Sequence, residues 1–267
     1  METSTTPAAT GLNEAAFGSN PGHWPLPLAM TPHQLWLRAV TAGGQGQYGS
    51  ALADLDRLQR LVAHGPLASL ALSTRASFLR QLGWHDRARS FDGRAMMLAD
   101  GAATPAADAL IGLAADALGV GRFAASARAL QRATGNVAES AAVRLPVRFA
   151  WVSAELAMVS GDGGSAVAHA ERAVALAADL ASARHTVKSR VILAAARCSS
   201  GDIDGSRREA DEALRQAGAF GLIPLRWAVA CLLADIGSDE RPHAEITVIR
   251  DGCAETVIRR GGVWRSR

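Results

Sequence analysis

The sequence predicts an all-α protein built as an α-solenoid, a stacked array of about five to six helical hairpins. One six-residue pattern, a glycine with alanine or serine five residues later, recurs five times at intervals of 37 to 40 residues. An alanine also stands seven residues before each of these glycines. Self-similarity at such a period is the signature of stacked helical pairs. The five segments, called elbow segments here, are residues 46–51, 83–88, 121–126, 161–166 and 201–206.

Each elbow segment is interpreted as the turn between the two helices of a hairpin. Glycine ends a helix because it adopts a left-handed backbone without steric cost. Small residues before and after the turn fit a helix crossing, because only small side chains let two backbones approach closely. The residues before the turns are Ala39, Ala76, Ala114, Ala154 and Ala194, and those that close the elbow segments are Ala51, Ala88, Ser126, Ala166 and Ser206. A non-repeating, alanine-rich helical bundle is the alternative.

Start and stop signals order the helices along the chain. The first helix begins with Thr31, Pro32 and Gln34, an N-cap residue, a proline and a capping-box glutamine in sequence. Proline and glycine then separate the hairpins. The expected pairs are 32–43 with 47–63, 68–82 with 84–99, 105–118 with 122–134, 140–160 with 164–180, and 183–199 with 204–217.

The regions on either side are less regular. Residues 1–30 are rich in Thr, Pro, Ala, Gly and Asn and are expected to be disordered or loosely docked. An apolar helix at 222–236 continues the register as a sixth first helix, so the repeat domain spans 31–237. Residues 238–267 form a C-terminal cap and a basic tail that is expected to be mobile. Within them, 244–260 fits either a helix or a hairpin around Asp251-Gly252.

The pattern resembles the tetratricopeptide repeat family in its long-repeat bacterial form. The resemblance covers residues 31–237 and is carried by the Gly-x-aromatic-x-x-Ala elbow, complete with its aromatic at Tyr48 and Phe123. The small residue on the first helix and an alanine late in the second also match, although the repeats exceed the usual length of about 34 residues. The resemblance implies a right-handed solenoid whose first helices line a concave groove.

Counting back from the glycines selects the residues of that groove. Tryptophan occupies the same position, ten residues before the glycine, in three hairpins. The alternative is that each tryptophan packs beneath the neighbouring repeat. Aromatic and aliphatic anchors with a few cations suit a protein or peptide ligand, including acidic ones. The candidate peptide-binding residues are Trp36, Arg80, Ile111, Arg148, Trp151, Glu155, Met158, Lys188 and Trp227.

Composition and motifs disfavour several other classes of function. The net charge of +3 is too small to indicate nucleic-acid binding by itself. No apolar stretch reaches the ~18 residues of a membrane span. The first lysine or arginine is Arg38, so no signal peptide is expected. The dinucleotide-like glycine pattern at 44–49 follows a helix where a strand is needed. No catalytic residues, metal ligands or cofactor are expected, and three spaced cysteines suit a reduced cytoplasmic protein.

These observations predict a non-catalytic scaffold or adaptor that binds a peptide or protein segment in its groove. The alternative is a ligand- or partner-sensing regulatory solenoid linked to a transcription regulator.

Overall fold

The computed structural model describes residues 7–266. Within that range the regular structure is entirely helical, as the sequence predicts, with thirteen α-helices and no β-strand. The helices are α1 (Pro7–Phe17), α2 (Pro32–Gly44), α3 (Tyr48–Leu61), α4 (Pro66–Gln81), α5 (His85–Leu98), α6 (Ala103–Gly119), α7 (Phe123–Glu139), α8 (Arg144–Val159), α9 (Gly163–Ala178), α10 (Ala183–Ser199), α11 (Ile203–Ala219), α12 (Ile223–Ile236) and α13 (His243–Arg259).

Consecutive helices pair into hairpins. α2 packs against α3, and the same holds for α4 with α5, α6 with α7, α8 with α9, α10 with α11, and α12 with α13. Each even-numbered helix from α2 to α10 also contacts the next even-numbered helix, which extends the series to α12. The even-numbered helices therefore form one continuous layer, against which the odd-numbered helices from α3 onward pack.

The glycine of each elbow segment ends its helix with a left-handed backbone, at φ between 73° and 89°. In each elbow the residue after the glycine donates its N–H to the carbonyl five residues earlier, as Arg122 does to Ala117 at 2.8 Å. This hydrogen bond belongs to the Schellman motif, which satisfies carbonyls left open at a helix end. Gly221 and Gly261, which lie outside the five elbow segments, repeat the geometry after α11 and α13.

The small residues around the elbows lie where the paired helices cross. The five alanines that precede the turns and the five residues that close them have no exposed surface. A methyl group or a hydroxymethyl group fills each crossing, and the hydroxyl of Ser206 donates to the carbonyl of Ala194 at 2.7 Å. Larger side chains would have to force the two backbones apart.

The N-terminal segment is docked over its described part. Helix α1 contacts α2 and α10, and Leu12 and Ala16 are buried. Beyond the helix, the side-chain amide of Gln45 donates to the carbonyls of Pro21 and His23 at 2.8 and 2.9 Å. Disorder, one of the two expectations for residues 1–30, does not describe residues 7–30, and residues 1–6 lie outside the described range.

The C-terminal segment takes the helical alternative. α13 pairs with α12 and buries Ile246, Cys253 and Val257, so no hairpin forms around Asp251-Gly252. The expectation of a mobile basic tail is wrong for residues 260–266. The backbone N–H of Arg265 donates to the carbonyl of Leu82 at 2.9 Å.

The first and last hairpins meet. The carbonyl of Arg260 accepts from the N–H of Gly49 at 2.8 Å, and its guanidinium donates to the carbonyl of Gln45 at 2.7 Å. Val257 belongs to the same hydrophobic cluster as Tyr48 and other core residues of α2 and α3. The layer of even-numbered helices therefore curves round a central space.

Candidate functional site

A cavity of about 580 Å³ lies on the face of the even-numbered helices, and it is called the inner cavity here. Every even-numbered helix from α2 to α12 contributes to its lining, together with Phe17 at the end of α1 and His85 at the start of α5. Its volume falls within the range of small-molecule and cofactor sites, about 300–1,000 Å³. Its walls combine aromatic side chains with paired and unpaired charges.

Four rings form a continuous wall, named the aromatic arc. Phe17 stands 5.5 Å from Trp36 between ring centroids, and 6.4 Å from His185. The His185 ring stacks on Trp151 at 5.5 Å. Trp36 and Trp151 occupy the same repeat position in hairpins far apart in sequence, and the curvature of the layer brings them to one wall. The aromatic arc offers an apolar surface at the edge of the charged region.

The two tryptophans of the aromatic arc also bind neighbouring hairpins. The indole N–H of Trp36 donates to the Thr74 hydroxyl at 3.0 Å, and that of Trp151 donates to the Ser189 hydroxyl at 2.8 Å. In both cases the acceptor stands 38 residues later, on the next even-numbered helix. Each tryptophan thus packs against its neighbour and also lines the inner cavity. For Trp36 and Trp151, therefore, each of the two alternatives, a position in the groove and packing beneath the neighbouring repeat, describes part of the side chain's surroundings.

Three arginines, named the guanidinium cluster, lie beside the aromatic arc. Arg144 pairs with both carboxylate oxygens of Asp108, at 3.1 and 2.6 Å, and Arg148 pairs with the same carboxylate. Arg184 donates to the carbonyl of Val40 at 3.2 Å and has no ion pair with any described residue. Burial lowers the pKa of each of the three guanidinium groups to about 10. This part of the cavity is therefore rich in poorly neutralised positive charge.

A second charged group lies deeper in the wall. Arg80 pairs with the fully buried carboxylates of Asp92 and Asp116, the latter at 2.9 Å. Burial raises the pKa of Asp116 to about 7, against the opposing pull of Arg80. Helix α6 leaves room for this group at Gly112, where a Cβ atom would lie 2.2 Å from the Asp92 Oδ2 atom. Arg80 is thus neutralised within the protein.

A third pair joins neighbouring hairpins at the rim. Lys188 Nζ lies 3.6 Å from a carboxylate oxygen of Glu155 and 5.9 Å from the centroid of the Trp151 ring. Both charged side chains are about one-third exposed. The pair is open to solvent, so its contribution to stability is small.

His185 is the ring of the aromatic arc whose charge environment is set by the guanidinium cluster. Its Nδ1 atom lies 2.7 Å from the Ser182 hydroxyl, and the side chain is buried. Burial lowers the pKa of His185 well below its usual value, and the nearby positive charges of Arg184, Arg144 and Arg148 lower it further. The imidazole is therefore neutral at physiological pH.

The structure brings together most of the residues selected from the sequence. Met158 is the exception, since it packs with the core residues Ala154 and Ile192 and does not line the inner cavity. The selected residues that do line it are Trp36, Arg80, Ile111, Arg148, Trp151, Glu155, Lys188 and Trp227.

The selection missed several residues of the cavity. Arg144 and Arg184 stand 17 residues before Gly161 and Gly201, one helical turn further from the glycine than the candidates Arg148 and Lys188, which stand 13 residues before it. Extending the count by one turn would have found both. His185 follows Arg184 on the same helical turn. Phe17 carries no such signal, because α1 lies outside the repeats and contributes Phe17 through a contact between distant segments.

Neither a scan against protein-family models nor a search of curated proteins finds a match for the chain. Among residues 7–266, every helix is too short or too polar to span a bilayer. The candidate function therefore rests on the geometry of the inner cavity.

Proposed function

We propose that the chain is a non-catalytic binding protein, a right-handed α-solenoid of hairpins like those of tetratricopeptide repeats. Its inner cavity receives a segment of a protein or peptide. The observation that carries the proposal is that six consecutive even-numbered helices line one cavity and place Trp36, Trp151 and Trp227 there from a single repeat position. A repeated lining of this kind suits recognition of a partner.

The lining also defines what kind of segment fits. The aromatic arc supplies a flat apolar surface, Ile111 and Val40 add aliphatic contacts, and the guanidinium cluster supplies positive charge. A short segment with an apolar anchor and an acidic group complements all three. The cavity volume of about 580 Å³ favours a chain end or a compact turn over a long helix.

One observation favours the regulatory alternative, a solenoid that senses a ligand or partner. Trp227 lines the inner cavity, and its ring lies 4.4 Å from that of Trp264, in the C-terminal segment that contacts the first two hairpins. A ligand that reaches Trp227 would therefore act on the contact between the two ends of the array. Such coupling would convert occupancy into a change of shape.

The proposed function is tested on Trp151. Partners are captured from cell extract with the wild-type protein, and the bound segment is then titrated against purified variants. Truncation of a buried interface aromatic typically costs at least ~2 kcal/mol, or about 30-fold in affinity. We expect Trp151→Ala to lose affinity by about that factor. Arg148→Ala should weaken the binding of acidic segments most, and the loss should largely persist at high salt because buried charges are screened little.

Trp24→Ala is the matched control, because Trp24 is half exposed and lies outside the inner cavity. It should bind like the wild type. If Trp151→Ala lowers the melting temperature and leaves the affinity unchanged, Trp151 serves the packing of the hairpins alone and the proposal fails.

A further inference from the structure

The charges around the inner cavity do not balance. Five cationic side chains face four carboxylates, and all nine belong to the wall or directly contact a wall residue. The cations are Arg80, Arg144, Arg148, Arg184 and Lys188, and the carboxylates are Asp92, Asp108, Asp116 and Glu155. Because the pKa of Asp116 is about 7, this carboxyl is protonated for part of the time at neutral pH, which increases the excess of positive charge.

The imbalance is concentrated in one place. Arg80 forms ion pairs with two carboxylates, and Lys188 forms an ion pair with one. Arg144 and Arg148 must share the single carboxylate of Asp108. Arg184 donates to the backbone carbonyl of Val40 and pairs with no carboxylate among the described residues. The excess charge therefore lies in the guanidinium cluster.

Buried charge of one sign is costly. A charged group removed from water is stable only when it is paired and hydrogen-bonded. Burial is the main cause of the lowered pKa of Arg184, and the charge of Arg144 adds to it. The guanidinium groups of Arg144 and Arg184 thus repel one another in a region that is largely buried. An anion placed among them would relieve this repulsion and use the donors that protein groups leave free.

We propose that the inner cavity binds an acidic group of its ligand, a carboxylate or a phosphate, among the guanidinium groups of Arg144, Arg148 and Arg184. The inference rests on the proposed function, since it assigns the ligand chemistry of the same cavity. A planar guanidinium matches both anions through paired N–H donors.

The surroundings of the cluster define the rest of the ligand. The guanidinium carbon of Arg144 lies 5.5 Å from the centroid of Phe17 and 6.0 Å from that of Trp36. An anion held by the cluster is therefore within a few ångströms of the aromatic arc. The ligand class is an amphipathic anion, in which an acidic group is attached directly to an aromatic or aliphatic body. A peptide C-terminus and a phosphate ester both satisfy this description.

The first experiment needs no knowledge of the ligand, because inorganic phosphate serves as the probe. Thermal melting is measured in chloride and in phosphate at equal pH and ionic strength. Anything that binds only the native state raises the melting temperature. We expect phosphate to raise that of the wild type and to leave that of Arg184→Gln unchanged. In chloride alone, Arg184→Gln should melt at or above the wild-type temperature, because it removes one of three repelling charges.

Arg259→Gln is the matched control, since Arg259 is 64% exposed and is not part of the cavity wall. It removes the same charge and should keep the wild-type response to phosphate. Arg184→Lys retains the charge without the planar fork and should show a reduced but measurable response. Equal responses of the wild type and Arg184→Gln would overturn the proposal.

A second experiment tests the amphipathic character and separates the two sources. N-acetylphenylalanine, its uncharged amide and phenyl phosphate are titrated by tryptophan fluorescence. Loss of a charged hydrogen-bonding partner typically weakens binding roughly tenfold or more. We expect the acid to bind at least about tenfold more tightly than the amide in the wild type. The difference should vanish in Arg184→Gln.

The outcomes separate this inference from the proposed function. Stronger binding of phenyl phosphate than of N-acetylphenylalanine identifies a phosphate ester as the preferred source, and the reverse identifies a carboxylate. Equal affinity for the acid and the amide would overturn the anion site. The proposed function would survive that result if Trp151→Ala still lost its captured partner.

Discussion

At the scale of single residues, the tryptophans of the aromatic arc each carry two roles. The indole N–H of Trp36 or Trp151 joins one even-numbered helix to the next, and the ring face borders the inner cavity. A ligand that touches these rings therefore also touches the contacts between hairpins. Substitution of either tryptophan should affect both stability and binding, so both have to be measured on the same variants.

Repeat register predicted which side chains lie near one another, but not their ionic partners. Trp151 and Arg148 could be placed on the inner face because they hold fixed positions relative to Gly161. Met158 fits the groove register, but it packs against the core cluster that contains Ala154 and Ile192, an outcome that spacing does not determine. Arg184 donates to the carbonyl of Val40, which comes from the distant first hairpin, and it is influenced by the charge of Arg144 on the neighbouring helix α8. Spacing within one repeat predicts neither neighbour.

His185 provides a residue-level prediction about pH. In the native protein burial holds the pKa of His185 well below its usual value, whereas an unperturbed histidine has a pKa of about 6.5. On acidification the unfolded chain takes up the proton first. Stability that is present above about pH 6.5 is therefore lost as the pH falls below it. We expect the His185→Gln variant to lose less stability than the wild type over this window.

Urea unfolding at a series of pH values measures that difference directly. The two proteins should have stability curves that converge as the pH falls below the unperturbed histidine value. Curves that remain parallel would show that His185 protonates equally in the native and unfolded states.

At the scale of elements, a helix could be predicted from the sequence where its ends carry local signals such as caps. Helix α2 has its capping box, in which the Thr31 hydroxyl accepts from the N–H of Gln34 at 3.2 Å and the Gln34 side chain accepts from the N–H of Thr31 at 3.2 Å. Helix α13 could not be decided from the sequence because its residues fit two periodicities. The contact with α12 selects the helix, which buries Ile246 and Val257. Helix α1 depends even more on tertiary contact.

The helix crossings give the element-level prediction. Ala154 and Ala194 have no exposed surface and lie between paired helices. Replacement by leucine would overpack the crossing, and overpacking of a core typically costs ~1–3 kcal/mol. We expect Ala154→Leu and Ala194→Leu each to lower the free energy of unfolding by about that amount. Chemical denaturation followed by circular dichroism measures the loss.

Ala175→Leu in helix α9 is the control, because Ala175 is exposed in the same hairpin as Ala154 and leucine is nearly as good a helix former as alanine. It should leave stability nearly unchanged. Equal stabilities for Ala154→Leu and Ala175→Leu would contradict the assignment of Ala154 to a close crossing.

At the scale of the whole molecule, the sequence pattern describes one hairpin and its neighbours but not the path of the array. The curvature depends on a small rotation between successive hairpins, and the rotations accumulate along the chain. The contact between the two ends was therefore not foreseen, although its residues were visible. Trp264 and Arg265 belong to the basic tail for which the sequence predicts mobility, but they contact Trp227 and Leu82.

That contact leads to a prediction about the shape of the molecule. The ring of Trp264 lies 4.4 Å from that of Trp227, tilted by 36°, and in the same segment the carbonyl of Val263 accepts from the Trp84 indole at 2.8 Å. An aromatic pair contributes about 0.5–1.5 kcal/mol beyond its buried area. We expect Trp264→Ala to lose at least ~1 kcal/mol of stability. With the contact weakened, the first and last hairpins should separate, and the radius of gyration from small-angle X-ray scattering should increase.

Trp24→Ala, which removes a half-exposed tryptophan outside the inner cavity, should change neither quantity. Wild-type stability and an unchanged radius for Trp264→Ala would show that the other contacts between the ends, such as that of Arg260 with Gln45, suffice to hold the array closed.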